Sequence, residues 1–284
     1  MSGLFADKRG LITGVFNKQS IAWAIAEQVL AGGGQCGFSY MPDKPDDERK
    51  KNLGRVSKLT EGNPQVRFLQ PMDVTNDVHI AELMNVAKEK LGRLDFLLHS
   101  IAFALPDDLK RDTIETSRAG FKLAMEISAY SLIALANAAR PLLAPNASIL
   151  TLTYYGGERA VPGYNVMGIC KAALDSAVKY LAFDLGAVGV RVNALSPGPL
   201  QTVSGRGAGV DEMLGLYEAV APLGRNVTHD EAGKCGAFLL SDMSSGITGE
   251  ILHLDGGYNM MGSPGRMLDQ IKAAKSLETA GAAT

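Results

Sequence analysis

The chain has 284 residues, 46% of them hydrophobic and 20% charged, and its 28 Lys and Arg against 30 Asp and Glu give a net charge of −2. That composition excludes a disordered or fibrous protein, and the charge balance argues against a surface built to coat nucleic acid. A chain this long buries roughly three quarters of its unfolded surface, so it needs no staples; its three scattered cysteines (Cys36, Cys170, Cys235) form no CxxC pair, suit a reducing compartment, and offer neither a disulfide framework nor a metal site.

Lys8 to Gly14 reads as a first strand ending in Thr13-Gly14, and Ser20 to Ala31 as a helix with Ile21, Ile25, Val29 and Leu30 on its apolar side. The run Gly32-Gly33-Gly34 stops that helix, and Gln35 to Tyr40 forms a second strand. Residues 46 to 60 are charged and helical; Val66 to Leu69 is a third strand, closed by Pro71-Met72-Asp73. Val78 to Leu91 is a helix ending at Gly92, and Leu94 to His99 a nearly continuous apolar strand. Thr113 to Ala139 predicts one long helix, Ser148 to Thr153 a strand, Gly163 to Leu185 a second long helix and Val190 to Leu195 a strand. Helix Asp230 to Leu240 and strand Glu250 to Leu254 complete the series.

Apolar strands alternating with helices call for a parallel sheet covered on both faces. Right-handed crossovers then give an α/β, Rossmann-like, doubly wound seven-stranded parallel sheet in a single domain. Ligands of such sheets sit beyond the carboxyl ends of the strands, so the residues that follow each strand carry the functional expectations. The longest apolar stretches, such as Ile21 to Ala26, fall short of the ~20 residues that span a bilayer. The start MSGLFADKRG carries charges where a signal peptide has its apolar core. The expectation is a cytoplasmic protein with no membrane and no nucleic-acid partner.

The turn Thr13-Gly14-Val15-Phe16-Asn17-Lys18-Gln19-Ser20-Ile21-Ala22 puts a glycine at a strand end and a helix start just beyond it. A glycine lets backbone approach a pyrophosphate, and the free amides and dipole of the helix favour its charge. Ser20 stands where GxGxxG would have a glycine; it could cap the helix or donate to a phosphate oxygen, and by itself this turn reads equally well as an ordinary serine N-cap. Tyr164 and Lys171, seven residues apart on one predicted helix, share a face about 20° apart with roughly 10 Å of rise between them. The lysine leans toward the tyrosine, so its cation is expected to favour the phenolate. Taken alone, such a pair is more often a packed tyrosine and a solvated lysine. Tyr154, just past the fifth strand, can bring a second phenol to the same edge. The four histidines (His79, His99, His229, His253) show no metal-ligand spacing, and His99 and His253 fall on predicted strands, where a core or edge role is expected.

In combination, the segment Thr153 to Gly168 (TYYGGERAVPGYNVMG) with Lys171 closely resembles the active-site segment of the bacterial enoyl-acyl-carrier-protein reductases, a divergent branch of the short-chain dehydrogenases. The likeness continues through Gly189 to Pro199 and His253 to Gly257, and upstream through Gly14 to Ala22 and His99 to Phe103. It covers about residues 3 to 262. The resemblance implies hydride transfer from a reduced nicotinamide to a trans-2-enoyl thioester in fatty-acid synthesis. It also implies that Tyr164 hydrogen-bonds the thioester oxygen, Lys171 holds the nicotinamide ribose, and Tyr154 orients or protonates the intermediate. Cofactor contacts carry over to Gly14, Ser20 and Ile21 (pyrophosphate), Asp73 and Val74 (adenine), Ser100, Ile101 and Ala102 (ribose), and Leu200 and Thr202 (nicotinamide). Met41, with Asp43 arriving late after the second strand, favours NADH, with NADPH as the alternative through Lys44 or Arg49.

The resemblance further implies a homotetramer, an acyl carrier protein or acyl-CoA thioester as substrate, and no metal. It implies a reductase domain over 1–262, with a lid around 197–220, and the tail over 263–284, ending Ala-Gly-Ala-Ala-Thr, reads as weakly structured. The lid sequence holds Arg206 against Asp211 and Glu212, where an acidic carrier would call for more cations, and its glycines suggest mobility. Two other readings remain. A ketone or alcohol dehydrogenase of the wider family would use a hydroxyl thirteen residues before the tyrosine, here Thr151. A non-catalytic NAD-sensing protein would have no need to keep the Tyr164–Lys171 pair.

Overall fold

The computed structural model describes residues 3–202, 210–265 and 267–281. Seven strands, β1 (Arg9–Ile12), β2 (Gln35–Tyr40), β3 (Val66–Pro71), β4 (Leu94–His99), β5 (Leu143–Leu152), β6 (Arg191–Pro197) and β7 (Ile251–Leu254), form one sheet in the order β3-β2-β1-β4-β5-β6-β7. Every pairing is parallel, so each strand returns through a crossover and all the carboxyl ends lie on one edge. The chain winds outward from β1 to β3, then restarts on the other side of β1 with β4. The crevice between the ends of β1 and β4 is therefore the topological switch point.

The period of two along each strand splits the core into two layers. Leu11, Leu97, Ile149 and Val192 face α3 (Asp77–Leu91), α6 (Ser131–Ala139) and α7 (Asn165–Gly186). Their neighbours Ile12, Phe96, Leu98, Leu150 and Leu195 face α1 (Ile21–Ala31) and α9 (His229–Leu240). Two small residues let α9 lie close on α1: a Cβ at Gly236 would come 2.5 Å from the Ile25 side chain, and Gly233 abuts the Ala24 carbonyl. A capping box at Thr228 and Glu231 starts α9.

Several elements depart from the sequence expectation. The charged helix begins late, as α2 (Lys51–Thr60), because Asp43 accepts from the amides of Asn52 (2.6 Å) and Leu53 (3.1 Å) and so caps it from outside. The run 113–139 is broken into a short turn, α5 (Arg118–Met125), a π-helical turn over Glu126–Tyr130 and α6. Apolar periodicity was blind to that break, since a wide turn keeps the buried stripe in place. By length and composition Arg118–Leu142 is apolar enough to cross a bilayer, which corrects the estimate from shorter stretches; here Leu132, Leu135, Ala136 and Ala139 are buried in the core. A short helix α4 (Pro106–Lys110) and α8 (Val210–Val220) were not anticipated. The segment expected to be weakly structured carries α10 (Met267–Gly281). Arg206 and the glycines of the expected lid lie outside the described residues, as do the side chains of Asp211 and Glu212.

Candidate active site

At the switch point, Gly14 takes φ 83°, and a Cβ there would collide with the Ser100 carbonyl. A side chain is thus excluded twice, by conformation and by contact. Thr13, buried beside it, ties β1 to β4 by donating both its amide and its hydroxyl to the Leu98 carbonyl (2.9 Å each). Ser20 does not cap α1 with its side chain. Its Oγ accepts from the amides of Phe16 and Asn17 (3.0 Å each), closing the loop on itself. The hydroxyl proton remains for donation, and α1 opens at Ile21 with its N-terminal amides toward this edge.

The other cofactor candidates line the same edge. Met41, following β2, is 57% exposed. Asp73, following β3, forms a turn in which Oδ1 accepts from the Thr75 amide (2.9 Å) and hydroxyl (2.8 Å), so an adenine contact would fall to Oδ2. Val74 and Ile101 are partly buried against the core, Ser100 is half-buried and Ala102 exposed after β4. Leu200 is buried with Val227 and Ala232, and Thr202 turns back on it through a 2.8 Å amide bond. Asp43 uses both of its oxygens to cap α2.

Past β5 the chain turns through Tyr154 and re-enters at α7. The rings of Tyr154 and Tyr164 meet edge-on with centroids 4.8 Å apart. Tyr164 sits at the N-cap of α7 rather than inside it. Asn165 follows in the left-handed region, φ 33°, and its side-chain amide donates to the carbonyls of Leu109 and Arg111. That strained residue, of a type that tolerates the conformation, clamps the start of α7 to the segment after β4.

Lys171 is 5% exposed, and its Nζ donates to the Leu152 carbonyl at 2.7 Å. Burial lowers its pKa to about 8, partly offset by Asp175 one turn further along α7 and by Cys170. The phenol of Tyr164 moves the opposite way from expectation. Burial raises it, with Tyr154, Cys170 and Asp175 adding to the rise. The lysine cation is turned to a backbone carbonyl and does not draw the phenol toward phenolate, so Tyr164 is a neutral donor. Tyr154 is likewise raised by burial, and the hydrogen bond from Tyr217 opposes the rise.

His99 is the core histidine expected, with ring nitrogens 2.8 Å from Thr151 Oγ1 and 2.7 Å from Ser131 Oγ. Burial first, then the charge of Lys171, lowers its pKa to about 3, so the ring is neutral. Thr151 is buried in the sheet by this contact. His253 pairs with Glu158 at 2.6 Å beside the Tyr155 ring. Sequence reasoning missed Tyr217. This phenol of α8 donates to the Tyr154 hydroxyl at 3.1 Å and stacks on Tyr258 with centroids 3.8 Å apart. No local pattern announces a contact across 63 positions.

A parallel sheet with a glycine turn at its switch point, and a tyrosine and buried lysine past its fifth strand, is the architecture of the dinucleotide-binding oxidoreductases. Residues 14–259 match the model of the enoyl-(acyl carrier protein) reductase family. The chain is 49% identical over 257 residues to the NADH-dependent enoyl-acyl-carrier-protein reductase FabI of Nostoc sp., covering 90% of this chain and 97% of that one. The corresponding enzyme of Rickettsia felis is 44% identical over 92% of this chain and 98% of its own. Among solved structures, the Anaplasma phagocytophilum reductase in complex with NAD superposes with a TM-score of 0.85 at 40% identity, covering 93% of this chain and 96% of that one. FabI from Candidatus Liberibacter asiaticus gives 0.87 at 36% identity, covering 93% and 100%. The chain belongs to the enoyl-acyl-carrier-protein reductase family.

Proposed function

We propose that this protein reduces the carbon–carbon double bond of trans-2-enoyl thioesters borne by acyl carrier protein, with NADH, in cytoplasmic fatty-acid synthesis. The observation that carries the reading is the meeting of Tyr154 and Tyr164 at the carboxyl edge, 4.8 Å between ring centroids, with Lys171 buried on the helix that Tyr164 begins. The turn after β1 suits a pyrophosphate, because the space at Gly14 is one that a Cβ would fill and α1 opens onto it. Bound NADH supplies the hydride that reaches the β-carbon of the enoyl chain.

Negative charge then develops on the thioester oxygen, and a preorganised donor aimed at it lowers the barrier. Tyr164, held neutral by burial, is that donor. Tyr154 orients the acyl group or protonates the intermediate. Lys171, anchored at Leu152, holds the ribose hydroxyls. Gly14, Ser20 and Ile21 take the pyrophosphate, Asp73 and Val74 the adenine, Ser100, Ile101 and Ala102 the ribose, and Leu200 and Thr202 the nicotinamide. An exposed apolar Met41 with no cation in its place supports NADH over NADPH. The exposed aromatics Tyr180 and Phe183 on α7, with Ile133 on α6, support a subunit interface and a tetramer.

Consumption of NADH is compared with crotonyl thioester and with acetoacetyl thioester. Turnover with crotonyl thioester alone is expected. Turnover only with the ketone supports a ketone reductase instead, and none with either supports an NAD sensor.

A further inference from the structure

α8 reaches into the site with two side chains one helical turn apart. Tyr217 is 3% exposed, its ring held flat against Tyr258 at 3.8 Å with an interplanar angle of 11°. That stack leaves the ring no room to swing and aims its hydroxyl at Tyr154, 3.1 Å away. The direction of the bond matters. Tyr217 donates and the Tyr154 oxygen accepts, so the Tyr154 proton must point elsewhere. It points to Met213, whose sulfur lies 3.6 Å from the Tyr154 oxygen. A thioether is a weak acceptor, and a thioester carbonyl is a better one.

We propose that Tyr217 is a positioning residue for the reduction: by donating its O–H to the Tyr154 oxygen it turns the Tyr154 proton toward the substrate carbonyl. The proposal rests on the reductase reading above. Two hydroxyls in series polarise one another, so the second becomes a stronger donor than a lone phenol. The groups that face Tyr217 are Tyr154, Tyr258 and Asp255. Among the described residues, Tyr217 works to lower the pKa of Tyr154, against burial, Tyr258 and Asp255.

The test is Tyr217→Phe, which removes one hydroxyl and keeps the stack. With crotonyl thioester, kcat is expected to fall about fivefold, the size of one neutral hydrogen bond, with KM for NADH unchanged. In a Tyr154→Phe background the same substitution is expected to cost nothing further, because its effect passes through Tyr154. An unchanged kcat, or an equal loss in both backgrounds, overturns the proposal while the reductase reading stands. Absence of enoyl reduction by the unaltered chain overturns that reading and the proposal with it. In cofactor-free protein carrying tyrosine labelled with carbon-13 at Cζ, the Tyr154 resonance is expected to shift on Tyr217→Phe; an unmoved resonance overturns the contact whatever the activity.

Discussion

The turn after β1 and the turn after β5 lie at the same edge of one sheet, yet they are built differently. In the first, the hydrogen bonds that close the loop are local, and a few distant groups complete it, such as His229, whose Nε2 lies 2.9 Å from the Gln19 carbonyl. Ser20 closes the loop through amides three and four residues back, and Gly14 creates its own space against the neighbouring strand. In the second, the partners are distant. Tyr154 receives its hydrogen bond from 63 residues away, Glu158 pairs with a histidine 95 residues on, and Tyr155 reaches a carbonyl 104 residues on. A site for a common cofactor fragment can be encoded in a short loop. A site where charge develops on one atom needs donors converging from several elements, which only a folded chain supplies.

The contrast can be broken by substitution. The largest effect is expected at the long-range site: Tyr164→Phe should lower turnover about a hundredfold, the order of one lost oxyanion donor, while NADH affinity by fluorescence titration stays within about twofold. Unchanged turnover would remove Tyr164 from the chemistry. Gly14→Ala should act on binding instead, through strain of about 1–3 kcal/mol at a left-handed position and collision with the Ser100 carbonyl. Weakened NADH binding with a lowered melting temperature is expected, and wild-type affinity would show that the turn tolerates a Cβ.

Acidity sharpens the comparison further. Because burial lowers Lys171 to about 8, below the ordinary lysine value of 10.5, its ammonium is lost as pH rises through that value. NADH affinity should decline above about pH 8, and a flat profile to pH 10 would mean that the ribose does not depend on the charge. The sign for stability is reversed: between about 8 and 10.5 the unfolded chain holds the proton that Lys171 in the folded chain has lost, so this group's contribution to stability rises with pH. The smallest effect belongs to the local loop. Ser20→Ala leaves the amides of Phe16 and Asn17 without their acceptor, in a half-buried place that water can partly reach. A stability loss of about 1–2 kcal/mol by denaturant titration is expected, and none would show that solvent replaces the hydroxyl.

Much of this was open to reading from residues in order. Apolar runs and glycine stops placed the strands and most of the helices, and Gly14, Tyr154, Tyr164 and Lys171 were singled out by the resemblance of their segments, in combination, to the reductase family. Patterns of that kind are local and survive translation into any neighbourhood. The π-helical turn at Glu126–Tyr130 preserved the apolar stripe, so periodicity ran straight through it. The capping role of Asp43 depends on a chain reversal that brings residue 52 beside it.

Sequence by itself determined the doubly wound sheet and its carboxyl edge, because alternation and turn chemistry are properties of short segments. Tertiary structure alone decided that Lys171 turns to the Leu152 carbonyl, that burial keeps Tyr164 protonated, and that Tyr217 arrives from α8 to hold Tyr154. Proton affinity and hydrogen-bond direction depend on which distant groups displace water around an atom, and that is settled only when the chain has closed around it.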